Sequence, residues 1–300
     1  MFEGLTVAMV TPFRGGQLDE PATERMVDFL VASAVDGIVV AGSTGEGATL
    51  TTPERRRLYD VVKSTTAGRC KLIAGTGTND TAVSIERTRE AEQAGYDGAM
   101  LVVPYYNKPT PAGQIAHFKT VADATRLPIV LYNVPGRTAS TMLPETVAKL
   151  AEHPRIVAVK EASGSLDQIS AIRCLTDMTI LSGDDSLTLP MLAVGAKGII
   201  SVVGNVAPRE FREMLVHWEK GRTDEAEATH RRLFPLMRAL FFESNPGPVK
   251  FLLASWGLIE NELRLPLVPI EKSTEPKILD AARQSKVSGP RQQQQAGAKA

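Results

Sequence analysis

The sequence predicts an α/β fold, a (β/α)8 TIM barrel carrying a C-terminal helical extension. Three observations predict it. Short runs rich in Val, Ile and Leu recur along the chain, and helix-start signals fall in the gaps between them. The runs are continuously apolar rather than alternating, as parallel strands are when helices cover the sheet. No Gly-x-Gly-x-x-Gly follows the first run, so the competing open, doubly wound sheet has no support.

The eight runs begin at Leu5 (LTVAMV), Gly37 (GIVVAG), Lys71 (KLIAG), Gly98 (GAMLVV), Leu127 (LPIVLY), Ile156 (IVAVK), Thr179 (TILSG) and Gly198 (GIISVV). Asp19-Glu20-Pro21 opens a helix after the first, and Thr52-Pro53-Glu54 opens another with Pro in its first turn. Asn79-Asp80 caps the stretch ending near Gly95, and Leu143-Pro144-Glu145 starts the one ending near Ala151. A helix from about Pro208 to Lys220 follows the eighth run, and the strand pattern then stops. Residues 1–220 are therefore expected to form the barrel. Residues 221–285 read as a helical extension broken at Asn245-Pro246-Gly247-Pro248, and 286–300, ending in RQQQQAGAKA, as a disordered tail.

Composition narrows the function classes. With 43% hydrophobic and 23% charged residues among 300, the chain can bury a full core. Lys plus Arg balances Asp plus Glu at 34 each, so no net charge draws it to nucleic acid or an anionic membrane. Two Cys and four scattered His lack metal-ligand spacing, so no metal site is expected. The N-terminal apolar stretch is too short for a secretory signal and no run is long enough for a membrane helix, which points to the cytoplasm.

Polar, small and aromatic residues gather where the runs end, and in a barrel those ends share the face that carries active sites. The exits include Gly42-Ser43-Thr44-Gly45-Glu46, Gly75-Thr76-Gly77, Tyr105-Tyr106, Asn133-Val134-Pro135-Gly136-Arg137, Lys160-Glu161 and Gly183-Asp184-Asp185. None carries His, so chemistry there falls to Lys, Tyr, Ser or Thr. Lys160 ends an apolar run; desolvation favours its neutral amine, which can attack a ketone. Its alternative is a head that snorkels to water or pairs with Glu161. Tyr132 is either a satisfied core Tyr or a proton donor. Tyr105-Tyr106 reads equally as an interface, a lid or a catalytic pair. The Ser43-Thr44 turn is a plain turn or an anion cradle, and Arg137 a solvated charge or a carboxylate clamp.

Taken jointly and in order, these segments resemble the dihydrodipicolinate synthase family, within the N-acetylneuraminate lyase superfamily of pyruvate aldolases. The matching segments are Gly42–Glu46, Gly75–Gly77, Pro104-Tyr105-Tyr106-Asn107-Lys108-Pro109, Tyr132–Thr138, Lys160–Gly164, Leu181–Asp185 and Asn245–Lys250. The resemblance implies that Lys160 forms a covalent imine with pyruvate and that the enamine adds to L-aspartate 4-semialdehyde. It implies that Thr44 and Ser43 hold the pyruvate carboxylate, with Ile200 lining the site, and that Tyr132 moves protons. Ser43, Tyr132 and Tyr106 would form a hydroxyl relay, Tyr106 coming from a neighbouring subunit. Arg137 would hold the aldehyde substrate's carboxylate. A homotetramer built as a dimer of dimers is the implied assembly.

Two departures stand out. Ser43 occupies a position often held by Thr, which keeps the hydroxyl and drops a methyl. Asn79, Tyr105 and Ala48 match a lysine-inhibition site, whereas Thr52, Arg55 and Val83 replace His, His and Glu, so lysine inhibition is expected to be weak or absent. Three other readings compete. One is an aldolase for N-acetylneuraminate or a keto-deoxy sugar acid. Another is a non-catalytic sensor on the same barrel. The third, a phosphate-binding barrel enzyme, lacks the expected Gly-rich late loop.

Overall fold

A computed structural model describes residues 1–289 of the chain. Eight parallel strands close into a barrel. They are β1 (Gly4–Ala8), β2 (Gly37–Val40), β3 (Lys71–Gly75), β4 (Gly98–Val102), β5 (Ile129–Asn133), β6 (Ile156–Glu161), β7 (Thr179–Ser182) and β8 (Gly198–Ser201). Each pairs with its sequence neighbours, and β8 returns to β1 with Thr6 opposite Ile200. All eight predicted runs are strands of this barrel.

The strands alternate between two apolar environments, which is why they look continuous in sequence. Val7, Ile38, Leu72, Leu101, Leu131, Val159, Ile180 and Ile199 point outward and pack beneath the helices. Ala8, Val39, Ile73, Met100, Val130, Ala158, Leu181 and Ile200 fill the lumen. Each fully buried Leu or Ile contributes on the order of 2 kcal/mol of transfer free energy. Tyr132 belongs to the lumen set and pairs in register with Lys160, next to the outward Val159. The two-residue period thus aims both polar side chains inward near the C-terminal rim.

The covering helices are α1 (Glu20–Ala32), α2 (Thr52–Thr66), α3 (Thr81–Gln93), α4 (Pro111–Asp123), α5 (Pro144–Ala151), α6 (Leu166–Leu175), α7 (Thr188–Ala193) and α8 (Pro208–Glu219). Five of these starts carry a side-chain cap. The Asp19 carboxylate accepts from Ala22 N–H at 3.0 Å, and the Asp80 carboxylate from Val83 N–H at 3.0 Å. Thr51 and Glu54 make a reciprocal capping box at α2. None of the described helices is long and apolar enough to cross a membrane.

The extension comprises α9 (Thr223–Ala239), α10 (Gly247–Ser255) and α11 (Glu275–Gln284). Two features depart from the sequence reading. A short hairpin, Phe13–Arg14 with Gln17–Leu18, turns through Gly15-Gly16, whose positive φ angles of 58° and 78° suit a two-residue turn. Residues 286–289, expected in the tail, are packed: Val287 is in the core and its N–H donates to Ala282 O at 3.0 Å. An apolar side chain at that position joins the core cluster, so the order runs past residue 285. The rest of the expected tail, 290–300, lies outside the described residues.

Candidate active site

Lys160 stands near the mouth of β6 with only 5% of its surface exposed. Its Nζ lies 4.2 Å from the centre of the Tyr132 ring. It makes no hydrogen bond or ion pair among the described residues. Burial, with Asp185 opposing and Arg137 assisting, brings its pKa down from 10.5 to about 8. Both alternatives raised by the sequence fail here. The amine does not reach bulk water, and Glu161 is turned to other partners, accepting from Asn133 Nδ2 at 2.9 Å and Ser163 N–H at 2.8 Å. Burial raises the Glu161 pKa against those bonds.

The neighbours keep this pocket tight. A β-carbon on Gly183 would lie 3.1 Å from Lys160 Cε and 2.7 Å from Ala162 Cβ, so any side chain there would press on the amine's stem. Gly75 is equally constrained, since a β-carbon would stand 2.7 Å from Ala41 O and Gly42 Cα. Asp185, 2% exposed, accepts from Val202 N–H at 3.1 Å, Val203 N–H at 3.2 Å and the Ser201 hydroxyl. Burial raises its pKa to about 6 against those bonds. Tyr132 is buried, and desolvation lifts its phenol to about 12 despite Arg137 nearby.

A cavity of about 210 Å³ opens at this rim and is lined by Ser43, Tyr132, Arg137, Tyr105 and Arg87 among others. Ser43 and Thr44 occupy the turn after β2. Their backbone N–H groups donate to nothing among the described residues, which leaves two adjacent donors free for an anion. Thr44 is buried, and its hydroxyl accepts from Asn245 Nδ2 at 2.9 Å. Glu46 closes the same turn at φ 50° and is wholly buried against Lys250 Nζ at 2.6 Å. Lys250 also donates to Thr11 O at 2.9 Å, and its Nζ lies 4.6 Å from the Phe13 ring. Burial lowers the Lys250 pKa, with Glu46 opposing. The second Glu46 oxygen accepts from Arg264 N–H at 2.9 Å. The extension therefore supplies the charge and amide that hold the turn.

The model of the dihydrodipicolinate synthetase family matches residues 1–285. The chain belongs to that family. It is 49% identical over 272 residues to a 4-hydroxy-tetrahydrodipicolinate synthase of Pelobacter propionicus, covering 90% of this chain and 94% of the relative. Among solved structures, dihydrodipicolinate synthase from Thermotoga maritima superposes with a TM-score of 0.94 at 41% identity, covering 95% of this chain and 99% of that one. The enzyme from Cyanidioschyzon merolae, solved with lysine bound, gives 0.92 at 43% identity over 95% and 98% of the two chains.

In this member of the dihydrodipicolinate synthetase family, Ser43, Tyr132 and Arg137 line one cavity, with Thr44 on the same turn as Ser43. Lys160 sits beside that lining, against the Tyr132 ring, and Ile200 packs in the lumen cluster with Tyr132. Tyr106 is not brought to the cavity of its own chain. It is 89% exposed and holds φ 69°, an uncommon conformation for a bulky residue. Asp185, Asn133, Glu46 and Lys250 were missed as site supports. The available signal was their type: charged or amide groups flanking apolar runs must find partners if the fold buries them.

Proposed function

We propose that this chain condenses pyruvate with L-aspartate 4-semialdehyde to give 4-hydroxy-tetrahydrodipicolinate, as a lyase of the class I aldolase type. The observation that carries the reading is the buried, unpaired Lys160 amine against Tyr132, beside the cavity at the C-terminal rim. The neutral amine adds to the pyruvate ketone, and loss of water gives an imine on Lys160. Ser43 and Thr44 N–H groups hold the pyruvate carboxylate, and Ile200 lines the site. Tyr132 delivers the proton that lets hydroxide leave as water. Loss of a proton from the pyruvate methyl gives an enamine, whose carbon attacks the aldehyde. The amino group of the second substrate then attacks the imine carbon, closes the ring and frees Lys160.

Arg137 suits the second substrate's carboxylate, since it lines the cavity and is exposed enough to meet an incoming acid. The exposure of Tyr106 suits a side chain that completes a relay with Ser43 and Tyr132 in a neighbouring subunit. On this reading the enzyme is a homotetramer of two dimers, works in the cytoplasm on lysine and diaminopimelate precursors, and uses no cofactor beyond the covalent imine. Lysine inhibition is weak, because Val83 offers no carboxylate to a lysine amine and Arg55 is committed to Glu90 at 2.7 Å.

The test is borohydride reduction in the presence of pyruvate, followed by mass analysis. A permanent adduct on Lys160, lost in Lys160→Ala, is expected. An intact enzyme that turns over both substrates yet never forms the adduct would refute the imine route.

A further inference from the structure

We propose that Gln114 is a positioning residue, whose amide sets the spacing of the two loops that carry Tyr106 and Arg137. Gln114 lies near the start of α4 and is 1% exposed. Its Nε2 donates to Ser140 Oγ at 3.2 Å, to Thr141 O at 3.2 Å and to Pro109 O at 3.4 Å. Pro109 belongs to the loop between β4 and α4, which carries Tyr106. Ser140 and Thr141 follow the short helix Pro135–Thr138, which carries Arg137. Among the described residues no other side chain bonds to both segments.

Both segments need such a tie. Tyr106 and Lys108 hold φ 69° and 44° in the first, and Ala139 holds φ 53° in the second. L-residues enter that left-handed region at a cost, so these turns persist only where neighbours hold them. At its tip the first loop is held by Asn107 Nδ2, which donates to Asn79 O at 2.8 Å. The second closes on itself, Thr138 Oγ1 donating to Ser140 O at 2.8 Å. Gln114 is what joins them. Two carbonyls and a hydroxyl converge on its nitrogen, which fixes the amide's orientation; turned over, its oxygen would meet both carbonyl oxygens. Oε1 has no hydrogen-bond partner among the described residues. A buried carbonyl without a partner is unfavourable, and an apolar side chain of the same length would avoid that cost. The amide therefore serves the loops, not the core.

Under the proposed function, on which this inference rests, Arg137 grips the aldehyde substrate's carboxylate in this chain's cavity, and Tyr106 completes a relay in a neighbour's. One buried amide thus fixes a residue of each site. Lys160 and the Ser43-Thr44 turn belong to β6 and to the exit of β2, so pyruvate binding lies outside its reach.

The experiment compares the full-length wild type with Gln114→Met, which keeps the side chain's length and removes its donors. Two-substrate kinetics should show KM for aspartate semialdehyde raised about fivefold or more and kcat lowered by a similar factor, as displacement by a fraction of an ångström predicts. KM for pyruvate should stay within about twofold. Hydrogen–deuterium exchange should quicken roughly three- to tenfold in peptides covering residues 104–110 and 137–142, and stay unchanged in α6. A KM for aspartate semialdehyde or a kcat equal to wild type, a KM for pyruvate that rises in step, or unchanged exchange in either loop would overturn the proposal. So would a lower Tm with normal kinetics, which would make Gln114 a core residue only. Should Gln114→Met fail to fold, Ser140→Ala removes one acceptor and should show the same split at about twofold; no split there overturns the proposal. Wild-type enzyme that never turns over aspartate semialdehyde would sink the proposed function by itself, and the exchange rates of the two loops would then decide on Gln114.

Discussion

Replacing Lys160 by Met should make the protein inactive and more stable. The folded structure holds an amine whose pKa falls from 10.5 to about 8, mainly through desolvation. That fall corresponds to about 3 kcal/mol against folding at neutral pH. The sign follows from linkage. Above about 10.5 the amine is neutral in both folded and unfolded chains, so the penalty is absent. It grows as pH falls and is complete below about 8, where both forms are charged and only the folded one is desolvated. Met matches the stem in length and brings no charge. It forfeits the contact between Nζ and the Tyr132 ring, which offsets on the order of 1 kcal/mol. The expected net gain near pH 7 is about 2 kcal/mol, or roughly 4 °C in Tm. The measurement is urea unfolding of both proteins from pH 7 to 10.5 at one protein concentration, because assembly shifts apparent stability. A difference that stays flat across that range, or a Met variant no more stable at pH 7, would refute the desolvated amine.

Other outcomes follow from the same geometry. Because the amine titrates near 8, the initial rate of adduct trapping should fall about tenfold for each pH unit below that value, read by mass spectrometry at short times. Tyr132→Phe keeps the ring that packs in the lumen but removes the phenol; kcat should drop on the order of 100-fold or more with stability nearly unchanged. Arg137→Ala should raise KM for aspartate semialdehyde about tenfold or more and leave KM for pyruvate within about twofold, in a two-substrate assay. Glu46→Gln should destabilise by about 3–5 kcal/mol in urea unfolding, because Lys250 is left buried beside a neutral amide; adding Lys250→Met should recover much of the loss.

Much of the barrel was legible because its strands are buried on both faces and five of its eight covering helices begin with side-chain caps, both local properties of sequence. The 286–289 segment was misread because whether a single Val finds cover depends on the packed fold around it, which composition does not reveal. At the site, Lys160 could be singled out because a cation at the end of an apolar run is chemically conspicuous. Its competing readings could not be separated without knowing that Glu161 turns to Asn133. Family motifs assigned roles to Ser43, Thr44 and Arg137, but neither motif nor period could show Glu46 meeting Lys250, a pair 204 positions apart.

The long reach from Lys250 back to Glu46 has a consequence for how the polypeptide acquires competence. A ribosome that has just finished β8 has delivered all eight strands, yet the carboxylate at the turn after β2 still faces a greasy wall with no cation to neutralise it. Asn245, which orients the Thr44 hydroxyl, is equally unmade. On the proposed function, the turn that would hold the pyruvate carboxylate is therefore completed only once the extension has been made. Cutting the chain between α8 and α9 would yield two fragments of which the larger is silent, and whose reunion could serve as a switchable split enzyme.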